Sequence, residues 1–183
     1  MEIKLNAANL ITITRILLVP YFIYTLIISA PYKHSLIILL ICIITDGLDG
    51  FIARNFKQKT EFGRFLDPIA DKLLLLPSYY FLTLRGITPV WLFLIILTKD
   101  ILVVIGWLLI YVLSGSRKIN VRFSGKTAIV FQMITLVLIL AKFSYVNILY
   151  YVTFILTFIA VIEYIYVGIK HFNAPGQKIN IDQ

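Results

Sequence analysis

Four aspartates, Asp46, Asp49, Asp67 and Asp71, stand inside or at the edge of two consecutive apolar runs, where each charge costs at least about 2.5 kcal/mol to insert. Four such charges in adjacent segments need one explanation. Each helical residue turns about 100°, so Asp46 and Asp49 project within about 60° of each other, and Asp67 and Asp71 within about 40°. Each pair shares a helix face. Two antiparallel neighbouring helices joined by a turn would bring the pairs to similar depth, lining one polar pocket. Carboxylates crowded in this way repel unless protons or cations neutralise them. Magnesium takes carboxylate oxygens and shares its remaining positions with substrate phosphates, and four carboxylates can hold two ions about 4 Å apart. Manganese suits the same donors, whereas zinc is disfavoured because neither His34 nor His171 is near.

The neighbouring residue types extend this chemistry. Gly47, Gly50 and Ala53 lie among the acids and leave helix surface open to a bulky group. Arg54 and Arg64 offer planar, two-pronged binding to phosphate oxygens. Upstream, Asn9, Thr12 and Arg15 recur every three residues, a polar stripe suited to face the same pocket.

The elements that must position these groups are long apolar helices. Of 183 residues, 60% are hydrophobic and only 14% charged, against roughly 25% charged in soluble domains. A bilayer core of about 30 Å requires about 20 mostly apolar residues per helix. Six runs meet or approach that length, over residues 10–30, 36–56, 65–84, 89–113, 127–143 and 146–169. The expected fold is therefore all-α: one polytopic membrane domain over residues 1–183 with six transmembrane helices and a solvated tail at 172–183. Pro31 after Ser29-Ala30, with Asn9 and Arg15 early in the run, favours an uncleaved first helix over a signal peptide.

Orientation follows from the 17 basic residues. Lys4, Arg54, Lys57, Lys59, Arg64, Arg117, Lys118, Arg122, Lys126, Lys170 and Lys178 fall on one face. Only Lys33, Arg85 and Lys142 fall on the other, while Arg15, Lys72 and Lys99 lie within spans. The positive-inside rule places both termini, and the acidic pocket near them, on the cytoplasmic side of the cytoplasmic membrane. The net charge of +8 in so apolar a chain points to anionic lipid headgroups rather than nucleic acid. The lone cysteine, Cys42, excludes an internal disulfide, and no Cys/His set has zinc spacing.

The stretch from Asp46 through Asp49, Gly50, Ala53 and Arg54 to Gly63, Asp67 and Asp71 matches every fixed position of D-x-x-D-G-x-x-A-R-x8-G-x-x-x-D-x-x-x-D. It resembles the signature of the CDP-alcohol phosphatidyltransferase family. Asn9-Leu-Ile-Thr12-Ile-Thr-Arg15 resembles that family's entry segment, with Ala8 where proline is common. The resemblance implies transfer of a phosphatidyl group from CDP-diacylglycerol to an alcohol with release of CMP, usually by a homodimer. It implies Asp46, Asp49 and Asp67 as metal ligands, with Asp71 sharing the second ion and acting as general base. Gly50, Ala53, Arg54 and Gly63 would shape and contact the CMP moiety.

The acceptor is read from a second basic stretch, Arg117, Lys118, Arg122 and Lys126. Such charge draws a phosphate-bearing alcohol, and the segment from Gly125 to Gln132 resembles family members that use glycerol 3-phosphate. Against this, Lys99-Asp100 stands where those members show Arg-Glu, and an Arg-Asp pair there resembles cardiolipin synthases, whose acceptor is phosphatidylglycerol. From another class, buried acids in a polytopic chain also suit a divalent-cation transporter. Individual residues have plainer readings: Asp67-Pro68 alone suits a helix cap, Lys99-Asp100 an intrahelical pair, and Tyr79, Tyr80, Trp91, Tyr150 and Tyr151 packing or interface belts. Glu163 is open between a supporting role at the site and a partner on another helix.

Overall fold

A computed structural model describes residues 7–28, 31–55, 61–114 and 123–173, with side chains described for residues 14, 17–28, 31–47, 72–106, 124–166 and 168. Six helices follow one another: α1 (Ala7–Ile27), α2 (Tyr32–Asn55), α3 (Glu61–Leu84), α4 (Val90–Ser114), α5 (Phe123–Leu140) and α6 (Val146–Asn173). The described residues contain no strand.

Each apolar run becomes one helix, and the ends show where sequence reading was displaced. Helix α3 starts at Glu61, so Asp67 and Pro68 lie inside it and the helix-cap reading of Asp67 falls. Arg64 and Lys126, which fall just outside the apolar runs read above, are helical. Helix α5 stops at Leu140, short of Phe143, because the chain turns there. Lys142 adopts φ 54°, its N–H bonds the Ile139 carbonyl at 3.0 Å and the Phe143 N–H bonds that of Leu138 at 3.0 Å. This paired 5→2 and 6→1 bonding is a Schellman ending.

The ends of α1, α3 and α5 gather at one end of the bundle. Arg85 Nη2 donates to the Ile27 carbonyl at 2.9 Å, tying the α3–α4 turn to the end of α1. The Tyr150 hydroxyl of α6 donates to the Ile87 carbonyl at 3.0 Å, and Lys142 Nζ lies 4.3 Å over the Tyr32 ring. Among the described residues an apolar core fills this half. Phe22, Leu39, Leu82, Leu92, Ile96 and Leu136 are all buried there.

The outer surface is equally apolar. Leu17, Ile37, Ile44, Val104, Ile155 and Ile162 are exposed. By length and composition Val146–Tyr166 of α6 is long and apolar enough to cross a membrane, and Leu17–Ile27, Lys72–Leu84 and Ser124–Leu140 are shorter apolar helical stretches among the described residues.

Candidate active site

The site is assembled by depth. Because α2 begins and α3 ends at the core end, their acid-bearing halves lie at the other. Asp46 is fourteen residues beyond Tyr32 and Asp71 thirteen before Leu84, which at 1.5 Å per residue is about 21 and about 20 Å from that end. Asp49 and Asp67 are each seventeen residues along, about 26 Å. The pairs are therefore level, as antiparallel helices require.

Among the described residues no Cα of α2 comes within 8 Å of one in α3, whereas α1 and α5 each pack against both. Helices α1 and α5 therefore lie beside both acid-bearing helices.

Helix α1 brings its polar stripe to the same depth. Arg15, Thr12 and Asn9 precede Ile27 by twelve, fifteen and eighteen residues, about 18, 23 and 27 Å along the axis. On the opposite flank, Lys126 precedes Leu140 by fourteen residues, about 21 Å, and its side chain is exposed. Gly50, Ala53 and Arg54 continue α2, while Gly63 and Arg64 open α3.

Asp46 is half-buried. A Cβ built on the adjacent Gly47 would meet nothing within 4 Å, so there is space beside the helix at this position. The backbone positions of Asp49, Asp67, Asp71, Asn9, Thr12, Arg15, Gly50, Ala53, Arg54, Gly63 and Arg64 are helical, but their side chains lie outside the described residues. Arg117, Lys118 and Arg122 lie outside them altogether.

Behind the site, α5 and α6 form an antiparallel seam of polar and small residues. Ser124 donates to Glu163, Thr135 and Thr153 hydroxyls lie 2.7 Å apart, and Ala128 and Ala160 are fully buried. Glu163 thus has a partner on a neighbouring helix. Lys99 and Asp100 do form an ion pair at 3.3 Å, but Lys99 Nζ also donates across to Gln132 Oε1 at 3.1 Å. Tyr79 is not a belt residue. It is fully buried, donating to the Gln132 carbonyl at 2.9 Å. Trp91, stacked on Tyr151 with ring centroids 5.4 Å apart, remains at the surface.

Known proteins share this arrangement of sequence. The family model described as CDP-alcohol phosphatidyltransferase matches residues 5–163, which takes in the entry stripe, all four aspartates and Lys126. A protein of Haemophilus influenzae named CDP-diacylglycerol-glycerol-3-phosphate 3-phosphatidyltransferase is 33% identical over 176 residues, covering 90% of this chain and 94% of its own. One of Aquifex aeolicus with the same name is 36% identical over 105 residues, 56% of this chain and 58% of its own. A probable phosphatidylglycerophosphate synthase of Mycobacterium tuberculosis is 37% identical over 101 residues, 52% of this chain, and the chain spans only about half (48%) of that relative's length. With the aspartate spacing intact, the helices that carry it level, and most of the length matched, the chain belongs to the CDP-alcohol phosphatidyltransferase family.

Proposed function

We propose that the protein is a polytopic membrane enzyme that transfers the phosphatidyl group of CDP-diacylglycerol to glycerol 3-phosphate and releases CMP. One observation carries the reading: the family's four aspartates sit at matching depths on α2 and α3, both flanked by α1 and α5. The names of the relatives, two of which specify glycerol 3-phosphate, support the acceptor. Both the family and these relatives are named for phosphatidyl transfer or phosphatidylglycerophosphate synthesis, which favours this over the transport alternative.

The donor set fits hard divalent cations. Asp46, Asp49, Asp67 and Asp71 provide only carboxylate oxygens, as magnesium or manganese prefers, and would hold two ions per site. Such ions, when bound, supply neutralisation of the diphosphate and of charge building on departing CMP. Asp71 takes the proton of the acceptor hydroxyl as its oxygen bonds to the phosphatidyl phosphorus and the bond from that phosphorus to the CMP oxygen breaks. Arg54 and Arg64 grip phosphate oxygens, with Gly50, Ala53 and Gly63 leaving space for the cytidine. Asn9, Thr12 and Arg15 present polar groups from α1. Lys126, with Arg117, Lys118 and Arg122, draws the acceptor's phosphate toward the mouth.

The exposed aliphatic surface supports six membrane spans, because lipid tails cover it without the cost that water imposes. Trp91 and Tyr151, stacked at the turn end, suit the bilayer interface. The basic residues favour both termini on the cytoplasmic side, and residues 1–183 would act as a single domain, paired as a homodimer as in the family generally.

Purified protein given labelled CDP-diacylglycerol with glycerol 3-phosphate, phosphatidylglycerol, inositol phosphate and serine in parallel tests the reading. Phosphatidylglycerophosphate is the expected product. Conversion of phosphatidylglycerol alone would instead make the protein a cardiolipin synthase, and no CMP release with any acceptor would defeat the proposal.

A further inference from the structure

Gln132 is hydrogen-bonded to three other helices. Its Oε1 accepts from Lys99 Nζ of α4 at 3.1 Å, its Nε2 donates to Thr157 Oγ1 of α6 at 3.1 Å, and its backbone carbonyl accepts the Tyr79 hydroxyl of α3 at 2.9 Å. Gln132, Thr157 and Tyr79 are fully buried and Lys99 is 3% exposed. Among the described residues α4 and α5 have no close backbone approach, so the long Lys99 side chain spans the distance between them.

Adhesion alone does not call for this set. Apolar residues of similar volume hold helices together at lower desolvation cost than a buried lysine and amide. What paired donors and acceptors add is a fixed register, since sliding one helix by an ångström breaks bonds that apolar packing would tolerate. The seam bonds of Ser124 with Glu163 and of Thr135 with Thr153 fix α5 to α6. Gln132 ties that hairpin to α4 and to α3, the helix carrying Asp67 and Asp71. Lys126 lies six residues before Gln132, about 9 Å along the same axis.

We propose that Lys99 and Gln132 are positioning residues that set the axial place of α5, and so hold Lys126 at the height where the acceptor's phosphate binds. This rests on the reading of glycerol 3-phosphate as acceptor.

The test uses the full chain in lipid nanodiscs, with Lys99→Met, Gln132→Met, their combination, and Thr157→Val, which removes one bond at nearly constant volume. CMP release is followed against each substrate in turn, beside a thermal melt. Misplacement by about an ångström costs up to about a hundredfold, and we expect each of the first two variants to raise KM for glycerol 3-phosphate about tenfold. KM for CDP-diacylglycerol should stay within about twofold, and the double variant should be no worse than the poorer single one, as members of one network are non-additive. Thr157→Val should shift the same KM less. An unchanged acceptor KM in all variants overturns the assignment, as does a parallel rise of both KM values in step with a falling melting temperature. Should the Lys99 variant not fold, Gln132→Met and Thr157→Val decide alone. A wild type inactive with glycerol 3-phosphate would instead remove the functional reading, and this inference with it.

Discussion

Gly86 and Lys142 occupy the same position in two helix-ending turns, with φ of 68° and 54°. In both, the residue's own N–H bonds back three residues and the next N–H bonds back five, Gly86 to Thr83 and Ile87 to Leu82 in the first turn. The glycine adopts this left-handed geometry without steric cost; the lysine does not.

Gly86→Ala should therefore lower stability by about 1–2 kcal/mol, the cost of a Cβ in the left-handed region. Lys142→Gly removes that strain but also the cation–π contact with Tyr32, worth about 0.5–1 kcal/mol. The net change should be under about 1 kcal/mol. Denaturant melts of the two variants check the contrast.

The α5–α6 seam makes a second test. A Cβ at Gly125 would overlap the Tyr164 hydroxyl, so Gly125→Ala should cost about 1–3 kcal/mol as an overpacked contact. Adding Tyr164→Phe, which removes the overlapping oxygen, should recover part of the loss. A double-mutant cycle on thermal stability measures the coupling, and strict additivity would show that the seam is looser than described.

Much of this was legible in the sequence, and the boundary is physical. Six helices follow from run length because bilayer thickness dictates it, and the level placement of the acids follows from counting along antiparallel rods. Cross-helix partners do not follow. Nothing in the spacing marks Gln132 as the partner of Lys99, thirty-three residues away, since that pairing depends on how α4, α5 and α6 rotate about their axes. Pattern alone starts the third run at residue 65, four residues after α3 begins at Glu61, because the polar and charged residues of that first turn break the apolar run. The flanking of α2 and α3 by α1 and α5 escaped for the same reason as Gln132: order in sequence does not dictate contact in space.

Lys126→Ala should raise KM for glycerol 3-phosphate about tenfold, the loss of roughly one charge-assisted contact. The CDP-diacylglycerol KM should be unaffected, since the cytidine end is held by other residues. Initial rates at varied acceptor and fixed donor measure it.

Chelation should abolish turnover without unfolding the protein, and magnesium or manganese should restore it. The apolar packing and helix-end bonds described at the turn end involve none of the four aspartates, so the melting temperature should move little while CMP release is lost. Full activity after exhaustive chelation would remove the metal from the account.

The most direct measurement is CMP release from CDP-diacylglycerol and glycerol 3-phosphate by the wild type and by Asp46→Asn, Asp49→Asn, Asp67→Asn and Asp71→Asn, each shown by circular dichroism to keep its helices. The several kcal/mol of charge stabilisation ascribed to such sites correspond to rate losses of about a thousandfold or more at 1.36 kcal/mol per decade. The account predicts that loss in all four variants. Wild-type rates in any one of them would contradict it.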